Sequence, residues 1–205
     1  MYNNKAVFLA VAILTIVSIN KSFAQTNVKT EGAITTKKSF DLSIGGGISN
    51  YLSSFDPPPV NLQGSISKTG FASTIRLMWH PGYLLGVGFE SGYYNFFSYR
   101  IKNNNIDGKV SLQAIPLLVV FSMTIVKKVN VYAGFGNNLL TSTLEYNGSV
   151  KSKVSSLGSN IALSYTQPIS KYLDLSAEAK WLSAFKTNDN LLSLQVLLIW
   201  RFLEY

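Results

Sequence analysis

The sequence contains no cysteine and a single histidine, His80, among its 205 residues. Without cysteine, the chain has no disulfide framework, no thiolate metal site and no attachment point for a lipid anchor. One histidine does not make a metal ligand set. Base catalysis needs a nucleophile and an orienting partner, and neither is visible beside His80, which precedes Pro81-Gly82 at a tight turn. We therefore expect no metal, no cofactor and no catalytic residue, with His80 as a turn or interface residue.

Charged residues are also scarce, at 14% of the chain against about 25% in an ordinary soluble domain. Aromatic residues reach 13%, so something other than water is expected to face much of the surface. The formal charge is +8. In an exported protein, a basic charge points first to an anionic surface such as phosphorylated lipid, and only then to nucleic acid. We expect no nucleic-acid partner.

Long uninterrupted apolar runs are missing too. The C-terminal stretch 191–205 is broken by Ser193, Gln195 and Arg201, well short of the roughly 20 apolar residues of a spanning helix. Every second residue from Leu192 to Phe202 is nevertheless apolar. A strand of about 9–11 residues that crosses an outer membrane shows this alternation. A half-buried strand of a soluble sandwich would show it as well.

The first residues predict export. Lys5 precedes an apolar stretch of 14 residues, and the small residues around Ala24 suit cleavage between Ala24 and Gln25. We assign residues 1–24 to a signal peptide and 25–38 to a flexible periplasmic lead-in. The barrel domain then covers residues 39–205. Removing Lys5 and Lys21 lowers the formal charge from +8 to +6.

Eight segments of the mature chain have the length and pattern of strands. Seven of them alternate between apolar and polar or small residues, whereas 110–123 is apolar on both faces, so its orientation cannot be read. Pro116 within that segment suggests a bulge or a strand end. The eight segments are 40–49, 71–80, 85–99, 110–123, 129–138, 156–166, 173–181 and 191–205.

Short and long connections alternate between these segments. The tight ones are 80–83, 127–130 and 168–171, and the longer ones are 53–69, 100–109, 146–155 and 186–190. This alternation is typical of a transmembrane barrel with short periplasmic turns and longer outer loops, and a Greek-key sandwich has no reason to show it. The sequence thus predicts an all-β fold: an eight-stranded antiparallel up-and-down transmembrane β-barrel in the cell outer membrane.

Aromatic residues cluster near both ends of the predicted strands. Trp79 and Trp200 lie near tight turns, while Trp181 and Tyr99 lie near longer loops. Two aromatic girdles, one at each membrane interface, would produce this distribution.

Several charged residues share the parity of the inward face. Arg76 and Glu90 each lie seven residues from position 83, so a hairpin centred there places them directly opposite each other. A selectivity or proton path is one interpretation, and a charge network that fills the lumen is the other. We favour the network because eight strands leave an interior just wide enough for side chains. Its predicted members are Arg76, Glu90, Asp174, Glu178, Lys180 and Arg201.

Basic residues predominate near the outer loops. These regions contain seven basic and four acidic residues. The basic residues are Lys68, Arg100, Lys102, Lys109, Lys151, Lys153 and Lys186, and the acidic residues are Asp56, Asp107, Glu145 and Asp189. This excess suits a rim beside the phosphates of lipopolysaccharide. Solvated loop lysines explain it equally well.

The stretch 110–140 resembles the central hairpin of the PorT-like outer-membrane β-barrels of Gram-negative bacteria. The shared features are Ile115-Pro116-Leu117-Leu118, a turn with Lys127-Lys128, and Tyr132-Ala133-Gly134-Phe135-Gly136. The C-terminal strand resembles the signal read by barrel-assembly machinery, with Leu198, Trp200 and Phe202, and either Phe202 or Tyr205 as its terminal aromatic. A PorT-like relationship implies an accessory role in a protein-secretion apparatus.

These observations predict a non-catalytic outer-membrane barrel with a structural or interaction role through its outer loops or periplasmic face. Its expected partners are outer-membrane lipid including lipopolysaccharide, barrel-assembly machinery during biogenesis, and secretion-system proteins. Three alternatives stay open: the secretion accessory, a lipid-modifying enzyme of the outer membrane, and a soluble exported barrel that binds an apolar ligand.

Overall fold

The computed structural model describes residues 38–53, 64–82, 84–103, 106–126, 128–145 and 148–204. The predicted signal peptide, its cleavage site between Ala24 and Gln25, the lead-in up to residue 37, and Tyr205 lie outside these ranges. Within the ranges, no helix has both the length and the apolar character needed to cross a membrane.

The described residues form nine strands, joined in antiparallel pairs. They are β1 (Ser39–Tyr51), β2 (Gly64–Ser67), β3 (Thr69–His80), β4 (Leu85–Asn103), β5 (Ile106–Val126), β6 (Val129–Glu145), β7 (Ser149–Pro168), β8 (Leu173–Ala184) and β9 (Asp189–Glu204).

Eight of the strands close into a barrel. Neighbours in the ring follow chain order from β3 to β9, β1 pairs with β3, and the ring closes where Ile44 of β1 lies opposite Leu198 of β9. Short β2 lies outside the ring and pairs only with the far end of β4. Closure pairs both edges of the sheet within the ring, so exposed edges among the described residues are confined to the strand segments that extend beyond it. The predicted eight-stranded up-and-down barrel is confirmed, with β2 as an addition.

The two faces of the barrel have opposite chemistry. Outward side chains are apolar and exposed, as at Phe89 and Val196, whereas inward side chains such as Arg76 and Lys180 are buried. An apolar band of this extent would be unfavourable in water and is the surface that lipid requires. The barrel is therefore an outer-membrane barrel, as the alternation predicted. The inside-polar arrangement is the reverse of what a soluble barrel needs to hold an apolar ligand.

A bulge in β4 reverses the predicted orientation of its outer part. The pairing with β5 shifts between Asn95 and Phe97, so that Phe96 is an extra residue. Beyond the bulge, Tyr99 is only 5% exposed, and Phe97 packs against the interior apolar cluster. The assignment of Tyr99 to an outward aromatic girdle is wrong, because one extra residue moves every following side chain to the other face.

Pro116 neither ends a strand nor produces a bulge, contrary to expectation. Strand β5 continues through it, with Pro116 opposite Asn138 of β6. On the other side, the ladder to β4 is interrupted between Ser91↔Leu117 and Tyr94↔Ala114, with the register unchanged. Proline has no N–H to donate to the ladder, so the ladder to β4 is interrupted at the position of Pro116. The side chain of Pro116 points inward.

Two of the predicted long loops are largely strand. Most of 100–109 belongs to β4 and β5, and 149–155 belongs to β7. Lysine, asparagine and serine residues interrupt the apolar pattern of these segments, which is why alternation misses them. These residues form the far ends of β4 to β7, at the end of the barrel opposite Ser39 and Glu204. We call 97–103, 106–113, 139–145 and 149–157 the outer extension.

Candidate functional site

Four charged side chains meet in the middle of the lumen. Arg76 comes from β3, Glu90 from β4, and Glu178 and Lys180 from β8. Each points inward because it alternates with outward apolar residues of its strand. All four are between 0 and 3% exposed. We call these four residues the central network.

Arg76 binds both glutamates of the central network. Its Nη2 lies 2.5 Å from Oε2 of Glu90, and its Nε donates to the same oxygen at 2.6 Å. Its Nη1 and Nη2 donate to the two carboxylate oxygens of Glu178 at 2.8 and 2.9 Å. A bidentate guanidinium–carboxylate pair is the strongest form of this interaction.

Lys180 completes the central network. Its Nζ lies 2.7 Å from Oε1 of Glu90 and 3.1 Å from Oε1 of Glu178. The two cations and two anions balance, so the network carries no formal net charge. A balanced and hydrogen-bonded cluster is the condition under which buried charges are tolerated.

Neutral polar side chains satisfy the remaining atoms of the network. Asn160 donates to Oε1 of Glu90 at 2.7 Å. Lys180 donates to Thr74 Oγ1 at 2.9 Å and to the Tyr94 hydroxyl at 3.1 Å.

An aromatic ring also contacts the central network. The guanidinium carbon of Arg76 lies 3.9 Å from the centre of the Tyr132 ring. Parity alone does not identify these partners, because serine, threonine, asparagine and tyrosine occupy most inward positions.

An apolar layer closes the lumen between the central network and the outer extension. Phe96, Leu182 and Leu191 are fully buried there, and the ring of Tyr51 meets Phe96 edge-on at 5.9 Å. The Tyr51 hydroxyl donates to Asp189 at 2.5 Å. Charged and apolar layers together fill the interior, as eight strands require.

The end of the lumen near Ser39 is an open polar cavity of about 290 Å³. An ion pair and a histidine–aspartate contact line it. Arg201 Nη2 lies 2.5 Å from Asp174 Oδ2, and His80 Nε2 lies 3.2 Å from Asp41 Oδ2. We call this cavity the periplasmic vestibule, since the predicted topology places the chain ends in the periplasm.

The structure thus separates the six predicted lumen charges into two groups. Arg76, Glu90, Glu178 and Lys180 form the central network, whereas Asp174 and Arg201 pair in the vestibule. Asp41 has the inward parity of β1 and contacts His80, a pair that the sequence analysis does not predict. The register places Ser39 opposite His80, so Asp41 is its diagonal neighbour, and cross-strand reasoning could have found the pair.

The tryptophans of the predicted girdles face outward. Trp79 stacks with Phe40 at 6.4 Å, and Phe202 lies 6.2 Å from Phe40 and 5.7 Å from Trp200. Trp181 is exposed near the other end of the barrel. Leu198 is also exposed on the outer face. Recognition of the C-terminal residues by assembly machinery stays a prediction.

The described residues do not make a recognisable catalytic or metal centre. No group of three or more His, Cys, Asp or Glu side chains in these ranges is placed to hold a metal ion. His80 has Asp41 as a partner, but within the same ranges no hydroxyl forms a hydrogen bond with its ring. Chemically, the arrangement can pair charges, exclude water and offer polar groups at both ends.

No protein-family model and no curated protein matches the chain. Several solved structures do match the chain. Neisserial surface protein A, from Neisseria, is 17% identical with a TM-score of 0.51, over 84% of this chain and 100% of that chain. A major outer membrane protein from Thermus thermophilus is 13% identical with a TM-score of 0.50, over 80% and 99% of the two chains. At this identity the likeness concerns the fold alone, and that fold is the eight-stranded outer-membrane β-barrel.

Proposed function

We propose that the protein is a non-catalytic outer-membrane barrel that binds partners through its outer extension and does not conduct solutes. The observation that carries this proposal is the length of four neighbouring strands. Strands β4 to β7 contain 19, 21, 17 and 20 residues, whereas a strand needs only about 9–11 to cross the membrane. The excess lies at one end and on one side of the barrel.

The outer extension has a strand edge that is free within the described part of the chain. Residues 149–157 of β7 pair with β6 on one side. On the other side the ladder to β8 stops at Gly158↔Ala184, and the last contacts are the hydrogen bonds from Phe185 N to the Leu157 carbonyl and from Lys186 N to Ser156 Oγ, so the free edge covers 149–155. Free N–H and C=O groups of an edge strand can pair with an extended segment of another protein. Val150, on this edge, is 67% exposed. An exposed edge carrying apolar residues is a suitable docking surface for a partner strand.

The filled lumen supports the second half of the proposal. The central network is neutral and almost completely buried, and the apolar layer adjoins it. Solute passage would require these side chains to separate inside a rigid barrel, which would leave buried charges unpaired. The non-catalytic assignment is supported by the charged lumen residues, which bind one another and leave no free acid or base in the central network.

A role in a protein-secretion apparatus is the second candidate. The resemblance of 110–140 to PorT-like barrels suggests it, and the periplasmic vestibule provides a polar surface at the end where such a partner would bind. The two glycines of the Tyr-x-Gly-x-Gly pattern have a packing explanation of their own. A Cβ on Gly136 would lie 2.2 Å from the carbonyl oxygen of Leu117, and one on Gly134 would lie 2.3 Å from Asn160 Oδ1.

Photo-crosslinking in intact cells distinguishes the two candidates. A photoreactive residue replaces Val150 on the outer extension or Ile169 in the turn at the opposite end, which are similarly exposed at 67% and 61%. We expect discrete adducts from position 150 and none from position 169. Adducts only from position 169 would favour the secretion role and contradict the outer-end proposal.

A further inference from the structure

We infer that the outward face of the outer extension binds the phosphates of an outer-leaflet glycolipid. This inference rests on the proposed function, because it assigns a ligand to the same extension. Four basic side chains carry it: Arg100 on β4, Lys109 on β5, and Lys151 and Lys153 on β7. Among the described residues directly opposite these four, Glu145 is the only acidic one. Asp107, two positions before Lys109 in β5, lies opposite Lys102, so that pair leaves the excess of basic residues unchanged.

The register places these residues on one surface. Arg100 lies opposite Lys109, and Lys109 lies opposite Glu145. Lys151 and Lys153 lie opposite Thr143 and Thr141. Residues directly opposite each other share a face, about 5 Å apart. The two basic pairs are thus separated by two strand spacings, or about 10 Å, with threonine hydroxyls between them.

This surface continues the lipid-facing wall of the barrel. Lys151 and Lys153 have the parity of Leu157 and Ile161, which are exposed on the apolar band. The row of Lys153, Thr141 and Gln113 comes directly above the row of Ser155, Leu139 and Ile115. From the lower row to the upper row, Leu139 and Ile115 are followed by Thr141 and Gln113, and Ser155 by Lys153. This change to polar and basic residues marks the boundary between acyl chains and headgroups.

The four basic groups are available to a ligand. No ion pair in the described ranges engages any of them, and the side chains of Arg100, Lys151 and Lys153 are exposed. Phosphate oxygens accept charge-assisted hydrogen bonds from lysine and arginine. The net positive charge of the surface and its position at headgroup height favour a phosphorylated lipid over a free polyanion, because the acyl chains would lie against the apolar rows below.

The test uses the full-length purified protein in lipid nanodiscs. It is titrated with diphosphorylated lipid A and with the same lipid after dephosphorylation. We expect the wild type to prefer the phosphorylated form. Replacing all four basic residues with glutamine, as R100Q/K109Q/K151Q/K153Q, should weaken binding of the phosphorylated lipid by about tenfold and remove the preference.

Two further variants control for charge and folding. K171Q removes a lysine from the turn at the opposite end and should leave the preference unchanged. E145Q removes the negative charge from the surface and should strengthen binding about twofold, an opposite change that misfolding cannot produce. Equal affinity of the wild type for both lipids, or an equal loss in K171Q, would overturn the inference. Crosslinking at position 150 tests the proposed function independently of either result.

Discussion

Arg76 and Glu90 lie directly opposite each other on neighbouring strands, with Nη2 of Arg76 2.5 Å from Oε2 of Glu90. Both side chains are buried in the lumen. Their pairing follows from equal distances to the first tight turn, so the sequence predicts this relationship. Glu178 and Lys180 join the pair from β8, which lies on the other side of the barrel.

The central network predicts a specific result in a double-mutant cycle. Arg76→Met leaves two glutamates against one lysine, and Glu90→Gln leaves two cations against one glutamate. Each single variant should lose about 3–5 kcal/mol of unfolding free energy, since breaking a buried pair leaves an uncompensated charge. The double variant keeps the balanced pair of Glu178 and Lys180 and should be more stable than either single variant.

Denaturant unfolding of the refolded barrel in detergent measures this coupling. Additive losses would show that the two charges do not interact in the folded protein. Arg201→Met serves as a comparison. It breaks a pair at the open vestibule, where the arginine side chain is 35% exposed and Asp174, although only 8% exposed, borders the polar cavity, so its loss should be smaller.

On the outward face of β9, we expect the loss of stability caused by a lysine substitution to depend on the depth of the residue in the membrane. Val196 lies midway along β9 between Leu192 and Trp200. Leu192 is opposite Trp181, so a tryptophan lies near each end of this span. Val196→Lys should destabilise the barrel by about 2–4 kcal/mol, whereas Leu203→Lys near the strand end should cost about 0–1 kcal/mol. Refolding yield and denaturant midpoints in lipid vesicles report both. Equal effects would mean that β9 does not cross the apolar core.

Ser193 is not a harmless site for the same substitution, although alternation alone suggests one. It is 1% exposed and lies opposite Lys180 in the lumen. Ser193→Lys would place a second cation beside the central network. We expect it to lower barrel stability at least as much as Val196→Lys, measured by the same unfolding experiment.

Two neighbouring glycines of β1, Gly46 and Gly47, are expected to differ in how much an added methyl group destabilises the barrel. A Cβ on Gly47 would lie 2.0 Å from the carbonyl oxygen of Leu194, whereas a Cβ on Gly46 would have no atom closer than 3.3 Å. Gly47→Ala should therefore cost about 1–3 kcal/mol through overpacking, while Gly46→Ala should stay within about 0.5 kcal/mol of the wild type. Thermal unfolding of the two variants makes the comparison. A tolerated Gly47→Ala would contradict the close approach of β1 and β9.

Alternation predicts most of the barrel because each strand separates lipid from a polar interior. The outward position of Val196 and the inward positions of Arg76 and Lys180 follow from parity alone. Parity fails at Tyr99, because the extra Phe96 is not marked by glycine or proline. It also fails for 149–155, since a strand in water needs no apolar face. The central network is only partly predictable, because the contact between Glu90 and Lys180 depends on barrel curvature.

Single-channel recording tests the central claim of a filled lumen most directly. The purified full-length protein is reconstituted into a planar lipid bilayer, with a wide porin treated in the same way as a control. We predict a conductance indistinguishable from that of the protein-free bilayer, because the central network and the apolar layer occupy the interior. Stable, reproducible conductance steps from the properly folded barrel would contradict the account.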